Sequence, residues 1–265
     1  MKHLLWAIGL LALACPAFSQ ELYVNTEPAS NMATNSLGIR LEDQGFFSPD
    51  YKTRTTLEVM YGASRHLMLH AAFYASDYYQ PQHFEGGSLY AKYRFLSVDS
   101  VQKHFRGAIF AKVSGINNPI PNQEITLEGD NSGLQSGVVF TQLLHKIALS
   151  GSASYLHAWD NLGGYSLPTG HAGNAVAYTL SAGYLLLPKT YTSYSQTNLN
   201  LYAELLGKTN PGYGQSYLDL APAVQLIFNS LIRVDLSYRV PLYSTLERNT
   251  ARMYLVRVEY NLFDL

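Results

Sequence analysis

Residues 251–262 read ARMYLVRVEYNL, and their side chains separate onto two faces. The even-numbered positions from 254 to 262 are all apolar or aromatic, whereas the odd-numbered positions include Arg257, Glu259 and Asn261. Successive side chains of a β-strand point to opposite faces of the sheet. The stretch therefore predicts a strand with one apolar face and one largely polar face.

Similar two-faced segments of about ten residues recur along the chain, as transmembrane barrels require. The pattern predicts an all-β fold: a closed, up-and-down, antiparallel transmembrane β-barrel of about twelve strands. Strand 134–144 is ambiguous in phase, and its facing stays open. The predicted strands are 36–43, 53–62, 66–76, 87–96, 105–115, 134–144, 147–159, 175–187, 198–207, 217–228, 231–241 and 251–262.

The connections between these strands alternate in length. Short links at 63–65, 145–146 and 229–230 interleave with long polar links at 77–86, 116–133 and 160–174. Short turns on one side and long loops on the other are typical of outer-membrane barrels. With an even number of strands, both termini are expected on the short-turn, periplasmic side.

Composition separates the chain from ordinary soluble domains. Charged residues make up 14% of the sequence and aromatic residues 13%, with 21 tyrosines; ordinary globular domains have about 25% charged residues. A soluble β-sandwich or a lipocalin-like barrel would place the apolar parity inside and the charged parity outside. Periodicity alone does not distinguish the two arrangements, but scarce charge, abundant tyrosine and the number of strands favour the membrane barrel.

Residues 1–19 have the features of a secretion signal. Lys2 and His3 precede an apolar run from 4 to 14, and Ala17 and Ser19 are small residues at the two positions that a signal peptidase recognises. The alternative, a lipoprotein acylated at Cys15, lacks the usual leucine three positions earlier. Residues 20–35 are expected to form a periplasmic lead-in or a plug, and residues 36–265 the barrel.

The inward parity carries charges of both signs, and its basic members outnumber its acidic ones. This pattern favours either a passage for small polar solutes with a mild anion preference, or a lumen filled by ion pairs. The candidate lumen-lining residues are Arg40, Arg54, Glu58, Lys92, Arg94, Arg106, Lys112, Glu204, Asp219, Arg233, Asp235, Arg239, Arg257 and Glu259, with Glu42 of the same parity.

Metal and calcium sites have little support in the sequence. His66, Met68 and His70 alternate on one strand face and are weak candidates for a copper or silver site. Residues 124–133 carry Glu124, Glu128 and Asp130, but their spacing matches no calcium loop, and a solvated loop is expected.

Catalysis has no clear sequence signal either. Ser154 and His157 differ in parity, no catalytic motif is present, and no catalytic residue or cofactor is predicted. A net charge of −1 with no basic stripe argues against nucleic acid as a partner.

A resemblance adds to these expectations. The two-faced strands, the N-terminal signal and the loop alternation resemble Gram-negative outer-membrane β-barrel proteins. ELYV at 21–24, TEPASNM at 26–32, YAKYRFL at 90–96 and NLNLY at 198–202 are similar to secreted barrels with no established activity.

The resemblance implies an integral outer-membrane location, contact with outer-membrane lipid and insertion by the barrel-assembly machinery. The chain departs from the usual aromatic C-terminal residue, because it ends Phe263-Asp264-Leu265. Expected functions are passage of small polar solutes, a non-conducting structural or partner-docking barrel, or an outer-membrane enzyme.

Overall fold

The structure is a computed structural model that describes residues 23–100, 103–190, 193 and 195–263. The predicted signal peptide and the first part of the predicted lead-in lie outside these residues. The described residues contain no helix that is both long and apolar enough to cross a membrane.

Twelve antiparallel strands close into one barrel across the described residues, which confirms the predicted fold class and topology. Each strand pairs with its neighbours in chain order, and β1 pairs with β12, so the sheet has no free edge. The strands are β1 Leu37–Phe46, β2 Lys52–Gly62, β3 Leu67–Ser76, β4 His83–Ser100, β5 Lys103–Ile116, β6 Ser132–Leu144, β7 Ile147–Trp159, β8 Asn174–Leu187, β9 Asn198–Asn210, β10 Gln215–Phe228, β11 Ile232–Ser244 and β12 Met253–Leu262.

Strand β4 differs most from its predicted span of 87–96. It begins at His83, passes through Gly86 and Gly87, and continues to Ser100. The register shifts between Arg94 and Leu96, which marks a bulge. A bulge reverses the parity of the residues beyond it, so a strict alternation search stops there. Near the start of β4, Gly86 and Gly87 interrupt the alternation, and Glu85 before them was left outside the predicted strand.

The apolar parity faces outward and the charged parity faces inward. Leu69 and Val256 are 40% and 42% exposed on the outer surface, whereas Arg54 and Arg233 are each 2% exposed. Strand β6, whose facing was left open, exposes Leu134 and buries Val139. An apolar outer surface around a charged interior is the arrangement of a barrel that is surrounded by lipid.

Aromatic rings gather near both ends of the outer surface. Phe47, Tyr51 and Tyr254 stack near the ends of β1, β2 and β12, with ring centroids 4.9–6.3 Å apart. Near the opposite end, the Phe105 ring stacks on Phe140 at 6.0 Å. Such rings at two levels match the aromatic girdles that membrane barrels place at the two lipid interfaces.

The longest connections, 117–131 and 160–173, leave the same end of the barrel. Links 63–66, 145–146 and 229–231 lie at the opposite end, here called the turn end.

We expect Val256→Arg to lower the free energy of unfolding by about 2–4 kcal/mol, because it places a charge on the lipid-facing surface near the middle of the strand. Val98→Arg introduces the same side chain on the outer surface near the turn end and should cost about 0–1 kcal/mol. Urea titration in lipid vesicles measures both values. Equal, small costs would mean that this surface does not face lipid.

Candidate functional site

Ion pairs cross-link the inner wall where β1, β2, β11 and β12 adjoin. The Arg40 guanidinium lies 2.7 Å from Glu58 and 2.9 Å from Glu259. Arg233 lies 2.7 Å from Asp235 and 3.4 Å from Glu259. Charges withdrawn from water are costly unless they are paired and hydrogen-bonded, so each guanidinium requires the carboxylates opposite it.

Arg257 extends this network across the seam that closes the barrel. It donates a hydrogen bond to Glu42 on β1 and lies 3.3 Å from Asp235 on β11. In the strand register, Glu42 is directly opposite Arg257 and Arg40 is directly opposite Glu259. The first and last strands are therefore joined by side-chain ion pairs as well as by the backbone ladder.

The segment 23–36 lies inside the barrel against the inner wall. Glu204 on β9 accepts hydrogen bonds from the backbone nitrogens of Val24 at 3.1 Å and Asn25 at 2.8 Å, and from the Thr26 hydroxyl at 2.7 Å. Arg233 donates to the Tyr23 carbonyl. Wall side chains thus satisfy backbone groups at the start of the segment, whereas Asn35 and Ser36 at its end bond to the backbone of Gly62 in β2.

The next residues of the segment contact the opposite wall. Lys92, which is fully buried, donates to the carbonyl oxygens of Pro28 at 2.7 Å and Ser30 at 2.9 Å. The Ala29 amide donates to the Thr141 hydroxyl at 2.9 Å. The segment thus spans the lumen between β9 and β4.

The loop 117–131 enters the lumen from the loop end. Glu124 lies 3.0 Å from Lys208 on β9, and Glu128 pairs with Lys112 on β5. Burial raises the pKa of Glu124, but Lys208 and Arg239 outweigh that effect and hold its pKa at about 2. The prediction of a solvated loop at 124–133 is wrong, because these carboxylates balance cations that the strands turn inward.

A second anchor fixes the two ends of the same loop. Glu85 on β4 pairs with Arg54 at 2.6 Å and accepts a hydrogen bond from Asn118 Nδ2 at 2.7 Å. Asp130 also pairs with Arg54. Ile125 and Leu127 of the loop pack against apolar side chains of β7 and β8 that face the lumen. The loop is thus held by both charge and burial.

A cavity of about 340 Å³ lies in the lumen between the segment 23–36 and the loop 117–131. Glu27 and Thr26 from the segment line it, as do Glu124 and Glu128 from the loop. This volume falls within the range of small-molecule sites, about 300–1,000 Å³. The wall side chains of the cavity include Arg40, Glu42, Arg54, Thr56, Glu58, His70, Tyr74, Tyr90, Lys112, Lys208, Tyr217, Arg239 and Arg257.

The interior charge balance differs from the sequence-based count. Among the described residues, the carboxylates of the segment, the loop and Glu85 offset the basic excess that the sequence predicts for the inner wall. The interior acids are Glu27, Glu42, Glu58, Glu85, Glu124, Glu128, Asp130, Glu204, Asp219, Asp235 and Glu259. The interior bases are Arg40, Arg54, Lys92, Arg94, Arg106, Lys112, Lys208, Arg233, Arg239, Arg248 and Arg257.

Most of the predicted lumen-lining residues meet one another or the two inserted pieces. Toward the turn end, Arg94 donates to the Arg65 carbonyl at 2.6 Å, and Arg106 pairs with Asp99 at 3.0 Å and donates to the Ser30 hydroxyl of the segment at 2.9 Å. Nearer the loop end, Asp219 pairs with both Arg239 and Arg248, the latter from loop 245–252.

Several interior groups lie outside the strands that the sequence predicts. Glu27, Glu85, Lys208 and Arg248 fell in predicted links or in the lead-in. One signal was available for Lys208: it continues the inward parity of Glu204 beyond the predicted end of β9.

The weak metal candidates do not share one site. His66 Nδ1 lies 2.9 Å from the Arg94 carbonyl, and Met68 accepts a contact from the Met32 amide at 3.4 Å. His70 Nδ1 lies 2.8 Å from Glu58. Within the described residues, no group of three or more His, Cys, Asp or Glu side chains is placed to hold a metal ion.

One histidine on the outer surface is oriented by a neighbouring strand. His157 Nδ1 lies 2.8 Å from Asn174 Oδ1, which also accepts a hydrogen bond from Tyr155. Ser154 faces the lumen instead and accepts a hydrogen bond from Gln135 at 2.9 Å. The structure therefore places Ser154 and His157 on opposite faces, as their parity predicted.

The charged interior, the apolar exterior and the closed ladder together define a transmembrane β-barrel of the outer-membrane type. Neither a protein-family model nor a curated protein matches the sequence. The fold is similar to that of an outer-membrane channel from Pseudomonas putida F1, with a TM-score of 0.58, 10% identity and coverage of 91% of this chain and 100% of that chain. At this identity the likeness extends to the fold alone.

Outer-membrane phospholipase A from Escherichia coli is a more distant match. Its TM-score is 0.46 at 10% identity, with coverage of 93% of this chain and 95% of that chain.

We expect Glu85→Ala to lower the free energy of unfolding by about 3–5 kcal/mol, because it removes a partner of the buried Arg54 guanidinium. The loop 117–131 should also become more sensitive to protease, since Asn118 loses one of its two acceptors. Urea titration and limited proteolysis measure the two effects. Glu247→Ala, an exposed position in loop 245–252, is the control and should change neither.

Acid should release the two inserted pieces. Burial opposes ionisation of Glu27 as well, but Lys92 and Arg40 hold its pKa at about 2, against an ordinary value of 4.5. A carboxylate with a lowered pKa contributes stability that is fully present above its unfolded pKa and is lost as pH falls through its folded pKa.

Protection of residues 23–36 and 117–131 against hydrogen exchange, measured relative to the intrinsic rate at each pH, should therefore fall between about pH 4.5 and pH 2. In Glu124→Gln the loop component of this loss should become smaller, with the remainder coming from Glu128, which pairs with Lys112. Full protection of both pieces at pH 2 in the wild-type protein would contradict the assignment.

Proposed function

We propose that this protein is an outer-membrane channel for small polar solutes and that the structure represents its closed state. The observation that carries the proposal is the polar cavity of about 340 Å³ inside the barrel, bounded by two pieces that are not part of the wall. If the interior served only to fill the barrel, well-packed apolar residues would stabilise it at least as well as ion pairs do. A charged cavity instead suits hydrated solutes.

The segment 23–36 serves as the plug in this proposal. Its contacts with Glu204 and Lys92 are hydrogen bonds to a handful of groups, and water can replace them when the segment leaves. The wall behind it is continuous in its backbone pairing, so removal of the segment leaves the barrel intact.

Both termini are placed on the periplasmic side in this proposal, with loops 117–131 and 160–173 facing the exterior. Short turns face the periplasm in barrels of this type. Insertion would proceed through the barrel-assembly machinery, and the apolar outer surface would contact outer-membrane lipid. No catalytic step or cofactor is part of the proposal.

The proposed ion selectivity follows from the charged groups in the structure and not from the charges counted in the sequence. The anion preference expected from the sequence depended on a basic excess, and the carboxylates of the segment and loop offset that excess. A mild preference for cations is proposed in its place, because the Glu27 and Glu128 side chains are more exposed than any lysine or arginine that lines the cavity.

A second function has one observation in its favour. Buried ion pairs such as Arg233–Asp235 and Arg40–Glu259 cross-link the inner wall. If the inserted pieces never leave, the barrel would be a non-conducting structural or docking protein with its exposed loops as the active surface.

Single-channel recording in planar bilayers distinguishes the two functions. We expect the wild-type protein to show small or infrequent steps, and deletion of residues 23–34 to give larger and longer steps. Lys92→Met should move conductance in the same direction, because it removes the donor to Pro28 and Ser30. Glu247→Gln is the matched control. A deletion variant that folds and inserts but conducts nothing would favour the non-conducting barrel.

A further inference from the structure

His70 presents an unused hydrogen-bonding atom to the cavity. The side chain lines the cavity and is 95% buried, with a residual exposure of 5%. Its Nδ1 lies 2.8 Å from Glu58 Oε1, so the N–H at Nδ1 donates to that carboxylate. Within the described part of the chain, Nε2 has no hydrogen-bond partner. In the neutral ring this second nitrogen is an acceptor.

The cations that line the cavity are already paired. Lys112 and Lys208 donate to Glu128 and Glu124 respectively. Four arginines line the cavity, and each of them contacts at least one carboxylate: Arg40, Arg54, Arg239 and Arg257. An anionic ligand would have to compete with these carboxylates for every donor.

Two carboxylates of the cavity can accept further hydrogen bonds. The side chains of Glu27 and Glu128 are 34% and 39% exposed, more than any lysine or arginine that lines the cavity. Glu27 meets Arg40 and Lys92 only at 3.4 Å, which is long for a hydrogen bond. Glu128 is held through one oxygen, by Lys112.

The unpaired or exposed groups of the cavity therefore share one chemistry, because each of them accepts hydrogen bonds. His70, whose buried Nε2 is unpaired among the described residues, lines the same cavity as Glu27 and Glu58. The Tyr90 ring packs on His70 with ring centroids 4.8 Å apart and adds an aromatic face of the kind that attracts cations.

We propose that the cavity is a binding site for a small organic cation that carries primary ammonium groups, with Glu27, Glu128 and His70 Nε2 as its acceptors. An ammonium group has three donors and no acceptor, which complements this set. Two accessible carboxylates on separate pieces, the segment and the loop, match a compound with an amino group at each end. The inference rests on the proposed function in placing this cavity on the route of solutes.

Calorimetric titration of the full, refolded protein in detergent tests the site without any need for conduction. The probe is 1,4-diaminobutane, and succinate is the matched compound with the same four-carbon chain and the opposite charges. We expect saturable binding of 1,4-diaminobutane and none of succinate.

Two variants test the acceptors separately. Glu128→Gln and His70→Phe should each weaken 1,4-diaminobutane binding roughly tenfold, the effect of losing one hydrogen bond to a charged group. His70→Phe keeps an aromatic ring against Tyr90, and Glu58 keeps Arg40, so the fold has no reason to change. Glu247→Gln should bind like the wild-type protein. Heat-modifiable mobility on a gel verifies that each variant is folded.

The outcomes separate this inference from the proposed function. Equal binding of 1,4-diaminobutane and succinate, or equal binding by the wild-type protein and both variants, would overturn the site even if the barrel conducts. Selective binding that both variants weaken would support the site even if the barrel conducts nothing, in which case the channel function alone would fail.

Discussion

Charges that the strands turn away from lipid must find partners inside the barrel, and the rest of the interior is arranged to supply them. Arg40 contacts Glu58 and Glu259, and Arg54 contacts Glu85 and Asp130. Such groups would be strongly destabilising if they were buried in the lumen without partners. This requirement explains why the loop 117–131 enters the barrel instead of extending into solvent: its carboxylates complete pairs that the wall leaves open.

The same requirement links architecture to function. Glu204 and Lys92 hold the segment 23–36 by its backbone, which fixes the segment across the lumen. The loop and the segment approach from opposite ends and leave a cavity of about 340 Å³ between them. Because both bring carboxylates, the cavity wall offers acceptors where the strands alone would have offered cations. In the proposed channel, the inserted pieces would both close the passage and determine which solutes the cavity favours.

Much of the fold could be predicted from the sequence, because strand parity is a local property. Arg233 and Asp235 lie on the inner wall, as their alternation with Val234 and Leu236 implied. The interior charge balance was not predictable in the same way. Glu124 meets Lys208 across a separation of 84 residues, and no local pattern encodes that contact. Glu85 was missed because the two glycines after it interrupt the alternation of β4, and the bulge near Arg94 concealed the far end of the same strand.

The central claim, a polar lumen inside an apolar outer surface, is tested most directly by two adjacent cysteines on β2. Thr56 lines the cavity and Leu57 is 44% exposed on the outer surface. In a background with Cys15 replaced by serine, a small charged thiol reagent in water should modify Thr56→Cys, and a lipid-soluble maleimide should modify Leu57→Cys in vesicles. The reverse pattern, with Leu57→Cys modified from water and Thr56→Cys modified from lipid, would contradict the account.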